Sequence, residues 1–204
     1  IPIAQSTIGF LRDSFFIWPA VLSGSRVVLH LHGGNFRTWY EKRGAVIKAY
    51  VRKVLKRAAR VVVLGESLRH LFEGIVEPGK ITVVPNGIPW NSGSILSDLR
   101  PGRTGRTRVI YLGTLNHQKG VLTLLSAISF VVKSRQDIEF IFAGGWSHEQ
   151  DRLDAESMIV KRNLAPFVSF TGIVEGKKKE ELLRSSDIFV FPGIQQEGQP
   201  LVVL

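Results

Sequence analysis

RVIYLGTLNHQKG, residues 108–120, opens as a strand and closes as the approach to a helix. Large apolar side chains run almost unbroken from Arg108 to Leu112, the pattern of a strand buried on both faces. Gly113 ends it, and a helix is predicted over Lys119–Lys133. Ligands of open parallel sheets sit beyond the carboxyl ends of the strands. A helix N-terminus there offers free N–H groups and positive potential, to which Lys119 adds a full charge. The turn suits a phosphate. Taken alone, it is more often an ordinary βα turn with an exposed Lys, because short motifs match by chance.

The same rhythm extends both ways. Upstream, Val27–Leu31 reads as a strand ending in His-Gly-Gly, residues 41–59 as a helix, and Arg60–Leu64 as a strand. Ser67–Phe72 reads as a short helix with Ser67 as N-cap, and Ile81–Val84 as a strand stopped by Pro85-Asn86-Gly87. Downstream, strands are predicted at Ile138–Ala143, Phe167–Phe170 and Asp187–Phe191. Helices fall at His148–Asn163 and Lys177–Arg184. Apolar strands alternating with helices make parallel sheets covered on both faces. The fold class is α/β, with two Rossmann-like parallel-sheet domains at 1–90 and 106–204. Residues 91–105, rich in Gly, Ser and Arg, form the expected linker. Both domains are expected to be incomplete: the first 25 residues hold no clear βα unit, and the closing Gln-Pro-Leu-Val-Val-Leu reads as a helix cut short.

Composition narrows the function. The 204 residues are 44% hydrophobic and 22% charged, which excludes a disordered or low-complexity chain. There is no Cys, hence no disulfide, thiolate nucleophile or Cys-based zinc site. No apolar run reaches 18 residues, and the opening IPIAQSTIGFLRDSFF lacks a basic-then-apolar signal pattern. Twenty-seven Lys and Arg against 17 Asp and Glu leave a net charge of +10. That favours an anionic partner: nucleic acid, an anionic membrane or a phosphorylated small molecule.

Two further segments carry possible chemistry. Gly193–Leu201 follows a strand and sets Glu197 on a sheet's ligand edge, with Pro200 in a position suited to a first helical turn. The amides of Leu201 and Val202 would then face a bound anion; an exposed loop acid is the plain alternative. His32 follows the first domain's strand and is placed to contact substrate or pass a proton, although a lone His is more often structural. His30 falls on the same face.

Seven motifs occur in order: His32-Gly33-Gly34, Val83–Ile88, the Gly-x-Leu-x-x-x-Lys-Gly of residues 113–120, Phe142–Gly145, Phe170–Gly172, Ser186–Pro192 and Glu197–Leu201. From about residue 12 onward the chain resembles family 4 of the retaining glycosyltransferases, enzymes of the GT-B fold. The resemblance implies a nucleotide-diphosphate sugar as donor substrate, a saccharide or lipid-linked acceptor, no cofactor and no metal. It assigns catalytic roles to Glu197 and His32. Donor binding falls to Lys119, Thr114, Gly113, Gly172, Ile173, Gly198, Gln199, Leu201 and Val202. Two departures stand out. Thr114 occupies a position where the family carries Arg, removing one cation from the leaving group. The family's E-x7-E pattern also needs a second Glu directly after Leu204, where the sequence stops. An internal fragment of a longer enzyme is therefore expected. The alternatives are a truncated or degenerate nucleotide-sugar-binding protein without turnover, or a basic polyanion-binding Rossmann-like module.

Residues 42–60 hold eight cations. At about 100° per residue, Val46, Ile47, Tyr50, Val51, Val54, Leu55 and Ala58 share one half of the helix. Lys48, Arg52, Lys53, Lys56 and Arg60 share the other. The plain reading is a solvated outer face. The sharper one sets Lys48, Arg52, Lys53 and Lys56 on an anionic membrane, which makes a cytoplasmic protein on the inner membrane face. Nucleic acid is disfavoured, because aromatics are not interleaved with the basic residues along the chain.

Overall fold

A computed structural model describes residues 1–87, 105–194 and 197–203. They form two compact units: residues 1–87 with 197–203, and residues 105–194. The expected linker, 91–105, lies outside the described residues except for Gly105.

The first unit is built on a three-stranded parallel sheet, in the order β1 (Val28–His30), β2 (Arg60–Val63), β3 (Ile81–Val83). Ile1–Ile3 runs beside β1: the His30 N–H donates to the Ile1 carbonyl at 2.9 Å and the Ile3 N–H to the His30 carbonyl at 3.0 Å. The opening residues, in which the sequence shows no clear βα unit, carry a helix, α1 (Thr7–Leu22). Ser6 caps it by accepting the Gly9 N–H. Its inner face buries Phe10 and Ile17, worth about 1.5–3 kcal/mol each. The helix escapes a periodicity reading because its outer face is apolar too: Ile8, Leu11, Phe15, Phe16 and Leu22 are exposed.

The helix expected at 41–59 is α3 (Ala45–Arg57), and a break separates it from a short helix that the sequence did not show, α2 (Phe36–Glu41). The break falls at Gly44, whose extended backbone (ψ 164°) serves as the N-cap of α3. The amphipathic reading of α3 holds from its second turn. Val51, Val54, Leu55 and Ala58 are buried, whereas Val46, expected inside, is 82% exposed in the first turn. Ser67 is not an N-cap: the short helix is a 3₁₀ turn, Glu66–Phe72, begun by Gly65 without a side-chain cap.

The second unit carries a four-stranded parallel sheet in the order β6 (Val168–Gly172), β5 (Ile138–Ala143), β4 (Thr107–Leu112), β7 (Ile188–Phe189). Helices α4 (Val121–Ser134), α5 (Glu149–Lys161) and α6 (Gly176–Arg184) connect successive strands. Chain order runs outward from β4 through β5 to β6 and then returns to β7 on the other side of β4. The order therefore reverses between β4 and β7, and in such sheets that switch point is where ligands bind. Phe142, Leu125, Ile128 and Leu115 are fully buried in the core beneath it.

Candidate functional site

In the second unit, three glycines meet at the carboxyl edge of the sheet. Gly113 leaves β4 and donates its N–H to the Ala143 carbonyl at 2.9 Å. Gly144 leaves β5 and donates to the Gly172 carbonyl at 2.9 Å. A Cβ on Gly144 would lie 1.8 Å from the Gly113 carbonyl oxygen, so no side chain fits between these two strand ends. The sequence-predicted residues Gly113 and Gly172 are thus brought onto one edge. Ile173 stands beside them, 74% exposed, against the bare face of Gly145.

Lys119 lies at the switch point. Its N–H is held by the Asn116 Oδ1 at 2.8 Å, and its ammonium stands 5.7 Å from the centre of the Phe191 ring, at the exit of β7. Lys119 does not open the helix, as the sequence suggested: α4 begins at Val121, with Gly120 as N-cap in the left-handed region (φ 80°). Gly120 is required there, since a Cβ would approach the Pro192 carbonyl oxygen to 2.1 Å. The turn is thus wedged against the chain leaving β7, a contact that the Ile194 N–H reinforces by donating to the Gln118 carbonyl at 3.0 Å. Thr114 is exposed in the same loop, its carbonyl accepting from the Tyr111 hydroxyl at 2.8 Å.

The remaining predicted residues gather in the first unit. His30 and His32 leave β1 with their rings 4.0 Å apart, on one face as the sequence implied. Burial, and then the neighbouring His32, hold His30 below the usual imidazole pKa. Residues 197–203 join this unit, and Glu197 forms an antiparallel bridge with Gly33. Gly198 packs so close to the His32 carbonyl that a Cβ would sit 2.2 Å from its oxygen. Leu201 and Val202 belong to a three-residue 3₁₀ turn, Leu201–Val203.

Sequence reasoning missed two contributors. Gln5 fills the space beside Gly33 and accepts the Asn35 N–H at 2.5 Å, bracing the His-Gly-Gly turn. Asn86 bonds to Gln199 twice. Their partners lie 30 and 113 residues away, beyond the reach of any local pattern.

The cations of α3 are not a simple solvated face. Lys48 and Arg52 stand 5.8 and 6.0 Å from the centre of the Tyr40 ring, and Lys53 stands 5.6 Å from that of Trp18. Arg52 also donates to the Tyr40 hydroxyl at 2.7 Å, and the Trp18 indole N–H donates to the Tyr50 hydroxyl at 3.1 Å. Cations and aromatics that are separate along the chain are interleaved in space. Among the described residues, no helix is long and apolar enough to cross a membrane.

Residues 9–90 match the family model described as Glycosyltransferase Family 4, and residues 106–204 match Glycosyl transferases group 1. A GDP-mannose:cellobiosyl-diphosphopolyprenol alpha-mannosyltransferase of Xanthomonas campestris is 26% identical over 204 residues, covering 93% of this chain and 52% of the relative. A 2-deoxystreptamine N-acetyl-D-glucosaminyltransferase of Niallia circulans is 25% identical, covering 74% of this chain and 40% of the relative. Among solved structures, Anabaena Alr3699/HepE in complex with UDP superposes with a TM-score of 0.73 at 18% identity, covering 92% of this chain and 52% of that one. The chain spans about half the length of the curated relatives it matches.

Proposed function

The chain belongs to the glycosyltransferases, its first half to Glycosyltransferase Family 4 and its second to Glycosyl transferases group 1, and from that membership we propose that it moves a hexose from a nucleoside-diphosphate sugar to an acceptor with retention of anomeric configuration. The observation that carries the proposal is Lys119, set among close-packed glycines at the switch point between β4 and β7. A leaving diphosphate needs a cation in a site with no room for side chains between it and the backbone, and this edge has both features.

The roles follow. Lys119 neutralises the leaving diphosphate in place of a metal ion. The backbone at Gly113 and Thr114 approaches the phosphates, and Gly172 with Ile173 meets the base. Glu197 and His32 orient the donor sugar and stabilise charge at its anomeric carbon, with the segment of Gly198, Gln199, Leu201 and Val202 beside it. The anomeric C–O bond to the diphosphate breaks while the acceptor oxygen bonds the same face. The acceptor's proton passes to a diphosphate oxygen, so no strong protein base is needed.

For the acceptor we propose a lipid-linked saccharide, in the synthesis of cell-surface polysaccharide or glycolipid. The Xanthomonas relative named above, whose acceptor is a diphosphopolyprenol, supports this reading. The first unit would rest on the inner face of the membrane. Supporting this, the outer face of α1 exposes Ile8, Leu11, Phe15 and Leu22 beside the cations of α3. An apolar stripe next to cations complements an anionic bilayer.

A second reading, nucleotide-sugar binding without turnover, is favoured by Thr114. The loss of one electrostatic partner from a dry site costs about 10²–10³ in rate. Calorimetry with a panel of nucleoside diphosphates and their sugars, on wild type and Lys119→Ala, tests the donor site. One nucleotide should bind, and Lys119→Ala should weaken it by at least tenfold, as expected for a charged hydrogen bond of about 1.5–3 kcal/mol. Binding of polyanions but of no nucleotide would sink the donor site and favour a polyanion-binding module.

A further inference from the structure

The sheet of the first unit is crossed at its carboxyl edge by three successive residues of a distant segment. Glu197 pairs with Gly33, just beyond β1. Gly198 lies over the His32 carbonyl and would bring a Cβ to 3.1 Å from the Leu64 Cδ1, just beyond β2. Gln199 meets Asn86, just beyond β3. The segment thus visits the ends of β1, β2 and β3 in turn.

The last of these contacts fixes more than position. The Asn86 backbone N–H donates to the Gln199 side-chain Oε1 at 2.6 Å, and the Asn86 Nδ2 donates to the Gln199 backbone carbonyl at 2.9 Å. One residue thus grips both the side chain and the main chain of its partner. Two bonds in different directions hold orientation as well as distance, and Gly198 leaves no slack on the other side. Two residues upstream of the clamp is Glu197.

We propose that Asn86 is a positioning residue, whose two-point clamp on Gln199 sets Glu197 against the His32–Gly34 turn. The proposal rests on the reading above, that Glu197 meets the donor sugar. Asn86 has no part in holding the diphosphate, which that reading places on the second unit.

Amide hydrogen exchange and calorimetry on the full chain test it together. The variants are Asn86→Ala, the isosteric Asn86→Asp, which loses the Nδ2 donor, Gln199→Ala, and the double variant Asn86→Ala with Gln199→Ala. Exchange at residues 197–202 should quicken about tenfold in each single variant and no further in the double. Exchange in β2 should not change, which separates release of the segment from unfolding. In calorimetry with UDP, GDP, UDP-glucose and GDP-mannose, Asn86→Ala should leave the bare diphosphates within twofold. It should lose at least fivefold of the extra affinity that the sugar brings.

Unchanged exchange at 197–202, additive effects in the double variant, or equal weakening of diphosphates and their sugars would overturn the positioning role. If wild type binds none of the four nucleotides, the donor-site reading fails. The exchange cycle then decides by itself whether the clamp exists.

Discussion

Gly113 and Gly144 leave neighbouring strands so close together that a Cβ on Gly144 would lie 1.8 Å from the Gly113 carbonyl oxygen. Gly144 also takes a φ of 153°, which L side chains rarely adopt. We expect Gly144→Ala to lower stability by about 3 kcal/mol, the upper end for overpacking. Gly172→Ala is the comparison: its φ of 72° is also left-handed, but no atom lies within 4 Å of the new Cβ. It should cost only the backbone strain, about 1–2 kcal/mol. Urea denaturation of the two variants measures the difference, and equal losses would show that crowding at this edge is unimportant.

Thr114 is exposed in the loop that carries Lys119, so a longer side chain has room. Thr114→Arg should strengthen nucleoside-diphosphate binding about tenfold, since an Arg–phosphate pair is a strong charge-assisted hydrogen bond. The gain should disappear at high salt. Weaker binding in the variant would mean that the phosphates do not reach this loop.

His30 predicts a pH dependence. Its Nε2 is buried without a hydrogen-bond partner, and burial followed by the adjacent His32 lowers its pKa. The unfolded chain takes up this proton near pH 6.5. The folded chain does so only at lower pH. As pH falls through 6.5 the unfolded state binds more protons, so this contribution to stability is complete above 6.5 and is lost below it. Tm should drop between pH 7.5 and pH 5.5, and His30→Asn should flatten part of that drop. A variant with the slope of wild type would remove His30 from the account.

The outer face of α1 and the cations of α3 predict binding to phosphatidylglycerol vesicles but not to phosphatidylcholine vesicles. Each cation near an anionic surface is worth about 1 kcal/mol. Charge reversal of Lys48, Arg52, Lys53 and Lys56 together should therefore weaken co-sedimentation more than tenfold. Phe15→Ser with Phe16→Ser should weaken what remains at high salt. Binding that ignores salt and survives the charge reversal would sink the membrane reading. Concentration-dependent self-association, abolished by the two Phe changes and indifferent to lipid, would show that a second copy covers this face instead.

Local order was legible in the amino-acid sequence. Strand β5 at Ile138–Ala143 was read to the residue, and β4 to within one. Buried parallel strands are short apolar runs closed by glycine, a signal carried by adjacent residues. The same holds for the glycines and Lys119 at the carboxyl edge of the second sheet, whose spacing follows from a strand, a turn and a helix in succession. Where the signal is not local, the reading failed. Helix α1 is apolar on both sides and shows no period, and the split between α2 and α3 hangs on the extended backbone of a single residue, Gly44.

The tertiary structure alone decided the rest. The reversal of strand order beside β4, which makes Lys119 a switch-point residue, is a property of the sheet and of no segment. The cations of α3 meet Tyr40 and Trp18 only because three helices pack together. Glu197 finds Gly33, and Gln199 finds Asn86, across 164 and 113 residues. Contacts at such separations carry a loop-closure cost that no local pattern offsets, so their partners are chosen by packing. Sequence determines which side chains are present to do chemistry; their neighbours are set by the burial of apolar surface elsewhere in the chain.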